Sequence, residues 1–157
     1  MSHARAQVRL AVVAALAGLA TTGTNVFPGR LRPLGKNPPP SLFVYSLEEE
    51  AAIDAAGAPP RQVRPLTLAV EGRVQLAGGY EEVDPEDTLD DIACEVETAL
   101  FAAFAVPAGR LRALLLALDY AGMRMDLQPA GEVVAGTVTM RFIATYRTAE
   151  GAPATAL

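Results

Sequence analysis

Two long segments of the chain, Val63–Leu76 and Val133–Thr148, alternate between apolar and polar residues. A period of two is typical of a β-strand with one covered face. In the first segment one face carries Leu66, Leu68, Val70, Gly72, Val74 and Leu76. In the second segment one face carries Val134, Val138, Met140, Phe142, Ala144 and Tyr146. Each predicted strand therefore needs a layer of other elements on one side.

A helix that could supply this layer is predicted between the two segments, from Asp84 to about Phe104. Asp84 is a good N-cap, and Pro85 suits the first helical position. Its apolar residues recur at spacings of three and four: Leu89, Ile92, Ala93, Val96, Leu100, Ala103 and Phe104. This single apolar stripe predicts that the helix lies on the sheet.

Turn residues and shorter apolar patterns divide the rest of the chain. They predict a first helix at Ala4–Ala20, a turn with a left-handed Gly23, strands at Asn25–Phe27 and Ser41–Leu47, a loop or short irregular helix at Glu48–Pro60, a third helix at Arg110–Asp119 and a strand at Met123–Leu127. Because Ser41–Leu47 is almost continuously apolar, we expect it to be buried on both faces.

The resulting order is α-β-β-β-α-(α)-β-β, without strict βαβ alternation. It predicts an α+β fold with a single mixed β-sheet and helices packed on one face. A length of 157 residues suits one domain. We expect that domain at 1–148, followed by a flexible tail at 149–157.

The N-terminus allows two interpretations. Arg5 and Arg9 precede the apolar run Leu10–Ala20, as in a secretory signal peptide. The run is shorter than the ~20 residues that span a membrane. An amphipathic first helix is the favoured alternative, because the apolar residues Val8, Val12, Leu16 and Leu19 share one helical face.

Charge and cysteine content exclude several function classes. The chain has 18 acidic and 13 basic residues, a net charge of −5, and its arginines are scattered. Nonspecific nucleic-acid binding needs clustered basic residues, so we do not expect it. The single cysteine, Cys94, cannot form an intrachain disulfide, and we expect it to be buried as a structural thiol on the apolar side of its helix.

The sequence contains no recognisable catalytic arrangement. The only histidine, His3, lies near the terminus, and Ser41 and Ser46 lack a nucleophile-elbow setting. The acidic residues around Asp91 fit a solvated helix face better than a calcium loop, and the glycines form no phosphate-binding fingerprint. We therefore predict no metal, no cofactor and no enzymatic activity. Loss of activity on substitution of Glu49 or Asp91 would be needed to revive an enzyme hypothesis.

The chain resembles the tail terminator proteins of long-tailed phages, the family of the lambda-like minor tail protein U and its relatives in gene transfer agents. The resemblance extends over about residues 4–148. The segments that carry it are the first helix ending in Thr21-Thr22-Gly23, then Val26-Phe27-Pro28-Gly29-Arg30, Pro39-Pro40-Ser41-Leu42-Phe43-Val44-Tyr45, the Leu66–Val74 strand, the helix start Thr88-Leu89-Asp90, and Met140-Arg141-Phe142-Ile143-Ala144-Thr145-Tyr146.

The resemblance implies a structural virion protein, assembled in the host cytoplasm, that closes into a homo-oligomeric ring, commonly a hexamer. Such a ring caps the head-proximal end of the tail tube, ends tube polymerisation and offers a docking face to a head-completion or neck protein. Its partners would be itself, the tail tube protein and that neck protein, with neither a membrane nor sequence-specific nucleic-acid recognition. Another neck or tail-completion adaptor is the alternative, or an exported small binding protein if residues 1–22 are a signal peptide.

Contacts in such an assembly are expected on the 46–62 loop and on the outward faces of the long strands, where polar and charged residues alternate with apolar ones. The candidate interface residues are Arg30, Arg32, Glu48, Glu49, Glu50, Arg73, Arg141 and Arg147.

Overall fold

The computed structural model describes residues 2–29, 31, 35–36, 38–77, 84–130 and 133–157. Its elements are α1 (Ala4–Leu16), β1 (Val26–Pro28), β2 (Ser41–Glu49), β3 (Ala52–Ala55), β4 (Arg61–Ala77), α2 (Pro85–Ala105), α3 (Arg110–Leu114), β5 (Ala117–Ala130) and β6 (Val133–Ala149). The predicted α+β fold with one mixed sheet is confirmed. The sheet has one strand more than the sequence predicted, namely β3.

The two long alternating segments are neighbours in this sheet. Its strand order is β1-β2-β4-β6-β5, and β3 pairs with β4 beside the end of β2. β4 and β6 pair antiparallel along their whole length, from Arg61 opposite Ala149 to Ala77 opposite Val133. β1 runs parallel to β2, which makes the sheet mixed.

All three helices pack on one side of the sheet, which we call the inner face. They bury a single apolar core together with the strands. From β4 and β6 the core contains Leu66, Leu68, Val70, Val74, Val138, Met140, Phe142, Ala144 and Tyr146, and from the helices Val8, Val12, Leu16, Leu89, Ile92, Val96, Leu100 and Leu111. The inward faces predicted for the two long strands are therefore confirmed.

Two glycines allow α2 to approach the sheet closely. A Cβ atom at Gly72 would lie 2.8 Å from Ile92 Cγ2 and 3.0 Å from Val138 Cγ1. A Cβ atom at Gly136 would lie 2.9 Å from Leu89 Cδ1. Because both distances to α2 are below van der Waals contact, any larger residue would push the helix away from the sheet.

The predicted start of α2 is confirmed. The Asp84 carboxylate accepts a hydrogen bond from the Glu86 N–H at 2.9 Å, with Pro85 as the first helical residue. Further along α2, Glu95 accepts hydrogen bonds from both the backbone N–H and the hydroxyl of Thr21, at 3.0 and 2.8 Å. These bonds fasten α2 to the turn that follows α1.

The first helix is shorter than predicted, ending at Leu16 rather than Ala20. Ala17 is extended and Gly18 has φ of +91°, a conformation that glycine adopts without a steric penalty. The Gly18 N–H then donates to the Gly23 carbonyl at 2.8 Å, closing a turn. Gly23 itself has φ of +55°, as the predicted left-handed stop requires.

Two other segments were assigned wrongly. The predicted loop or irregular helix at Glu48–Pro60 instead contains the end of β2 and all of β3, because β4 extends far enough to pair with both. The predicted third helix at Arg110–Asp119 stops at Leu114. From Ala117 onward the chain pairs with β6 instead, and Leu118 enters the core, so the strand predicted at Met123–Leu127 is much longer.

Cys94 is exposed, so its predicted burial was wrong. The buried stripe of α2 runs through Leu89, Ile92, Val96 and Leu100. Cys94 is two residues from Ile92 and two from Val96. At about 100° of rotation per residue, it points away from that stripe.

The last residues fold back against α1 and the end of β6. The Leu157 N–H donates to the Arg147 carbonyl at 2.8 Å, and the Ala4 N–H donates to the Pro153 carbonyl at 2.7 Å. The Gln7 side chain donates to the Ala154 carbonyl at 2.7 Å. The predicted domain bounds and the flexibility of 149–157 stay predictions.

Candidate interaction surface

The side of the sheet opposite the helices, which we call the outer face, carries a small apolar cluster of its own. Phe43, Tyr45 and Ala69 are buried there, and Phe27 packs against them. The rings of Phe27 and Phe43 lie 5.7 Å apart. β2 is therefore buried on both faces from Ser41 to Tyr45, as its apolar run predicted, whereas Leu47 in the same run is 49% exposed.

A charged group lies over this cluster. The Tyr45 hydroxyl donates to Glu71 Oε2 at 2.7 Å, and Arg73 Nε donates to Glu71 Oε1 at 2.5 Å. The Arg73 guanidinium also lies 4.2 Å from the centre of the Phe43 ring, a cation–π contact. The predicted interface residue Arg73 is thus held flat against the sheet, with part of its side chain in solvent.

Beside this group the outer face forms a depression of about 440 Å³. It is lined by Tyr45, Leu47, Glu71, Arg124, Thr139 and Arg141. Arg124 pairs across the sheet with Thr139, and Arg141 lies two residues further along β6, so both arginines project from the same face. Both are exposed, and neither forms an ion pair with a carboxylate of the described residues. We call Arg124 and Arg141 the arginine patch.

The acidic triplet at the end of β2 is divided between the two faces. A register shift between Ser46 and Glu48 places Glu48 opposite Thr67 on the outer face and Glu49 opposite Leu66 on the inner face. Glu48 and Glu50 are exposed, whereas Glu49 is half-buried. The triplet predicted as one interface group therefore contains two surface residues and one interior residue.

Glu49 belongs to a polar network under the start of α1. It forms an ion pair with Arg64 Nη1 at 2.9 Å and accepts a hydrogen bond from the Tyr146 hydroxyl. Arg64 Nε in turn donates to the buried Thr148 hydroxyl at 3.0 Å. Burial, followed by the hydrogen bond to Glu49, raises the pKa of Tyr146 far above its ordinary value. The network is thus a structural link between β2, β4 and β6.

The remaining interface candidates are placed as follows. Arg147 forms an ion pair with Asp54 at 2.6 Å, which joins β6 to β3 at the end of the sheet. Arg30 and Arg32 lie outside the described residues. A contact between these eight candidates and a partner stays a prediction.

The described residues also show how the groups considered for chemistry are used. The described residues contain no cluster of three or more His, Cys, Asp or Glu side chains that could hold a metal ion. The Ser41 hydroxyl donates to the Pro39 carbonyl at 2.8 Å, and His3 accepts the Arg5 N–H at the start of α1. Among the residues that the structure describes, no helix has the length and apolar character needed to cross a membrane.

Sequence reasoning missed two arginines that shape these sites. Arg64 holds Glu49, and Arg124 forms half of the arginine patch. The alternation of Met123, Met125 and Leu127 already indicated that Arg124 and Asp126 face the other side. Because a helix was predicted at 110–119, only a short strand remained there, and Arg124 was not among the predicted interface residues.

No protein-family model and no curated protein sequence matches this chain. Among solved structures, a chain of one described as "Virion of native gene transfer agent (GTA) particle" is similar, with 19% identity and a TM-score of 0.40. The similarity covers 91% of this chain and 92% of that one. An identity and a TM-score this low assign neither a family nor a function to the protein.

Proposed function

We propose that this protein is a non-catalytic structural subunit of a phage-like particle. In this proposal it closes into a ring, of six copies by resemblance to tail terminators, at the head-proximal end of a tail tube. The ring ends tube growth and docks a head-completion protein. The sequence resemblance over residues 4–148 supports the proposal, and so does an α+β fold with one helix-covered sheet face.

The observation that carries the proposal is the outer face. No helix of the described residues covers it. It exposes the arginine patch beside the depression, and the carboxylate of Glu48 elsewhere on the same face. Exposed charges of opposite sign on one face are typical of a surface that recognises a partner while the free subunit stays soluble.

A ring requires head-to-tail contacts, in which two different patches of each copy meet and the rotation closes. The arginine patch and the acidic end of β2, which we define as Glu48 and Glu50, supply two patches of opposite charge. In the proposed ring the arginine patch of one copy faces the acidic end of β2 of the next copy. Opposite charges in such a contact favour the correct register and disfavour like-to-like pairing.

Capping follows if the two sides of the ring differ. One side must match the end of the tube, and the other must fail to accept another layer of tube subunits. A head-to-tail ring has two non-equivalent sides by symmetry, because every copy points the same way around the axis. The second side is then free to bind the head-completion protein.

The test uses the double variant Glu48→Lys/Glu50→Lys, with Glu49 retained because it belongs to the structural network. We expect this variant to remain folded and to lose ring formation, measured as mass in solution by light scattering with and without tail tubes. Asp90→Lys is the matched control, since Asp90 is exposed on α2 on the helix side. It should form rings like the parent.

Three results would count against the proposal. Rings that persist in the double variant would exclude the acidic end of β2 as a contact. Equal loss of rings in Asp90→Lys would indicate a general effect of charge rather than a specific surface. Tubes of unlimited length whose joining to heads still requires the protein would identify it as a neck adaptor instead.

A further inference from the structure

β5 is an edge strand with an open side. It runs from Ala117 to Ala130 and pairs with β6, and no other strand of the described residues adjoins it. A bulge lies between Tyr120 and Gly122, where Gly122 has φ of +105°. Beyond the bulge the pairing with β6 is regular. The segment from Gly122 to Gln128 is therefore a straight edge that can accept another strand.

The inner side of this edge is apolar and only partly covered. Tyr120, Met123 and Leu127 are 39%, 41% and 39% exposed, although they lie opposite inner-face residues of β6. Adjacent exposed apolar side chains along an unpaired edge form a surface that a further strand would bury.

The outer side of the same edge carries one charge of each sign. Arg124 and Asp126 are both exposed, and neither is ion-paired within the described parts of the chain. They are placed symmetrically on either side of Met125. A strand with this pattern can satisfy its own charges by pairing with an antiparallel copy of itself.

The alternation of side chains restricts how two copies could pair. Residues directly opposite each other in an antiparallel pair project from the same face. The two-fold axis that relates two β5 strands must therefore pass between one residue and its own copy in the other strand. It cannot pass between two successive positions of the strand, because that would pair an outer-face residue with an inner-face residue. An axis at Arg124 places two arginines opposite each other, and an axis at Asp126 does the same with two aspartates. An axis at Met125 places each Arg124 opposite an Asp126.

We propose that β5 binds β5 of a second copy of this chain, antiparallel and centred on Met125, to form one continuous sheet. On the outer side two Arg124–Asp126 pairs form, and on the inner side Met123 of each copy packs against Leu127 of the other. Opposite charges facing each other across strands are favourable, and like charges are unfavourable. The bulge at Tyr120 ends the pairing at the same point in both copies.

This contact differs in symmetry from the proposed ring contact, and the two compete for Arg124, which takes part in both. A two-fold contact uses the same patch on both copies and closes after two, whereas a ring needs head-to-tail contacts. The paired state is therefore a state of the free subunit, and it covers an edge that would otherwise be open to other strands.

Sedimentation of the purified protein over a range of concentrations tests the contact. We expect a reversible dimer for the parent chain, and Arg124→Glu should raise the dimer Kd about tenfold or more, because both pairs become repulsive. The charge exchange Arg124→Asp/Asp126→Arg should restore dimerisation. Arg61→Glu is the control, because Arg61 is exposed on β4, a strand that is paired on both sides and lies away from the β5 edge, and its dimer Kd should stay unchanged.

A cysteine cross-link tests the register. In a Cys94→Ser background, Met125→Cys places two thiols opposite each other at a Cα separation of about 4.5 to 5.5 Å, which permits a disulfide. Leu127→Cys places the thiol opposite Met123 instead. Oxidation should cross-link the first variant much faster than the second.

Three results would overturn this contact. The first is a parent chain that stays monomeric at all concentrations. The second is a dimer whose Kd does not respond to Arg124→Glu, and the third is equal cross-linking of both cysteine variants. Ring-sized particles with no dimer present, which are lost in Glu48→Lys/Glu50→Lys, would overturn the β5 contact and leave the proposed ring in place.

Discussion

The two faces of the sheet are made by the same strands but have different roles. On the inner face Leu66, Leu68 and Val70 of β4 are almost completely buried under the helices. On the outer face Glu71 and Arg73 of the same strand form an ion pair over a small aromatic cluster. The inner face therefore determines the fold, while the outer face keeps charged groups at a surface that none of the described helices covers.

The acidic triplet shows the same difference over three consecutive residues. The bulge in β2 turns Glu49 inward, where Arg64 and Tyr146 bind it, and leaves Glu48 and Glu50 exposed. Identical side chains thus differ in role because of one shift in register. The change in the free energy of unfolding caused by matched substitutions on the two faces measures how different their roles are.

The largest effect is expected for truncation of a core leucine. Leu68→Ala, at a side chain that is 1% exposed, should lower the free energy of unfolding by about 2 to 5 kcal/mol, because it leaves a cavity under the helices. Leu47→Ala on the outer face, where the side chain is 49% exposed, should change it by about 0.5 kcal/mol or less. Urea denaturation measures both. Equal losses would show that the outer face is also covered in the free subunit.

The next effect concerns the contact between α2 and the sheet. Gly72→Ala should destabilise the protein by about 1 to 3 kcal/mol, because its Cβ atom would collide with Ile92 and Val138. Gly35→Ala is the control, since no atom lies within 4 Å of its Cβ position. Thermal melting of the two variants provides the comparison. A neutral Gly72→Ala would mean that α2 lies further from the sheet than described.

A comparable or smaller loss of stability is expected when the buried Tyr146 loses its hydroxyl. Tyr146→Phe removes the hydrogen bond to Glu49 and should cost about 1 to 3 kcal/mol. Tyr120→Phe, at an exposed tyrosine of β5, should be nearly neutral. Chemical denaturation at neutral pH separates the two, and a neutral Tyr146→Phe would contradict the structural role of the network.

The same tyrosine should make stability depend on pH in alkaline solution. Its pKa is raised by burial from 10.0 in the unfolded chain, so above pH 10 the unfolded state loses the proton while the folded state keeps it. The stabilisation is complete below pH 10 and decreases as pH rises above it. Tyr146→Phe should remove this part of the slope in denaturation curves. An unchanged slope in that variant would assign the dependence to other groups.

The smallest effect on stability is expected in the arginine patch. Arg141→Ala should change the free energy of unfolding by no more than about 0.5 kcal/mol, because the side chain is exposed and forms no ion pair within the described residues. Its effect should appear in ring formation instead. A variant that is both destabilised and unable to form rings would place Arg141 among the structural residues.

The inner face could be predicted well from the sequence, because alternation in β4 and β6 and the stripe of α2 are properties of the local pattern. Burial of Cys94 was predicted wrongly because a single apolar residue was assigned to the stripe without regard to its angle on the helix. The strand β3 could not be predicted, since Ala52–Ala55 is a strand only through pairing with the long β4.

The candidate surface was predicted in part. The outward position of Arg73 and Arg141 followed from the alternation of their strands. The separate role of Glu49 did not, because it depends on a bulge between Ser46 and Glu48 that no local residue preference marks. The arginine patch could not be predicted, because it depends on the pairing of β5 with β6. This pairing brings Arg124 beside Arg141 from a distant part of the chain.

The most direct test of the proposed role is the length of tail tubes grown with this protein. A phage-type tail tube protein would be polymerised with increasing amounts of the purified chain and imaged by electron microscopy. We predict shorter tubes with a ring at one end, and no shortening by Glu48→Lys/Glu50→Lys. Tubes of unchanged length with bare ends at every concentration would contradict the proposal.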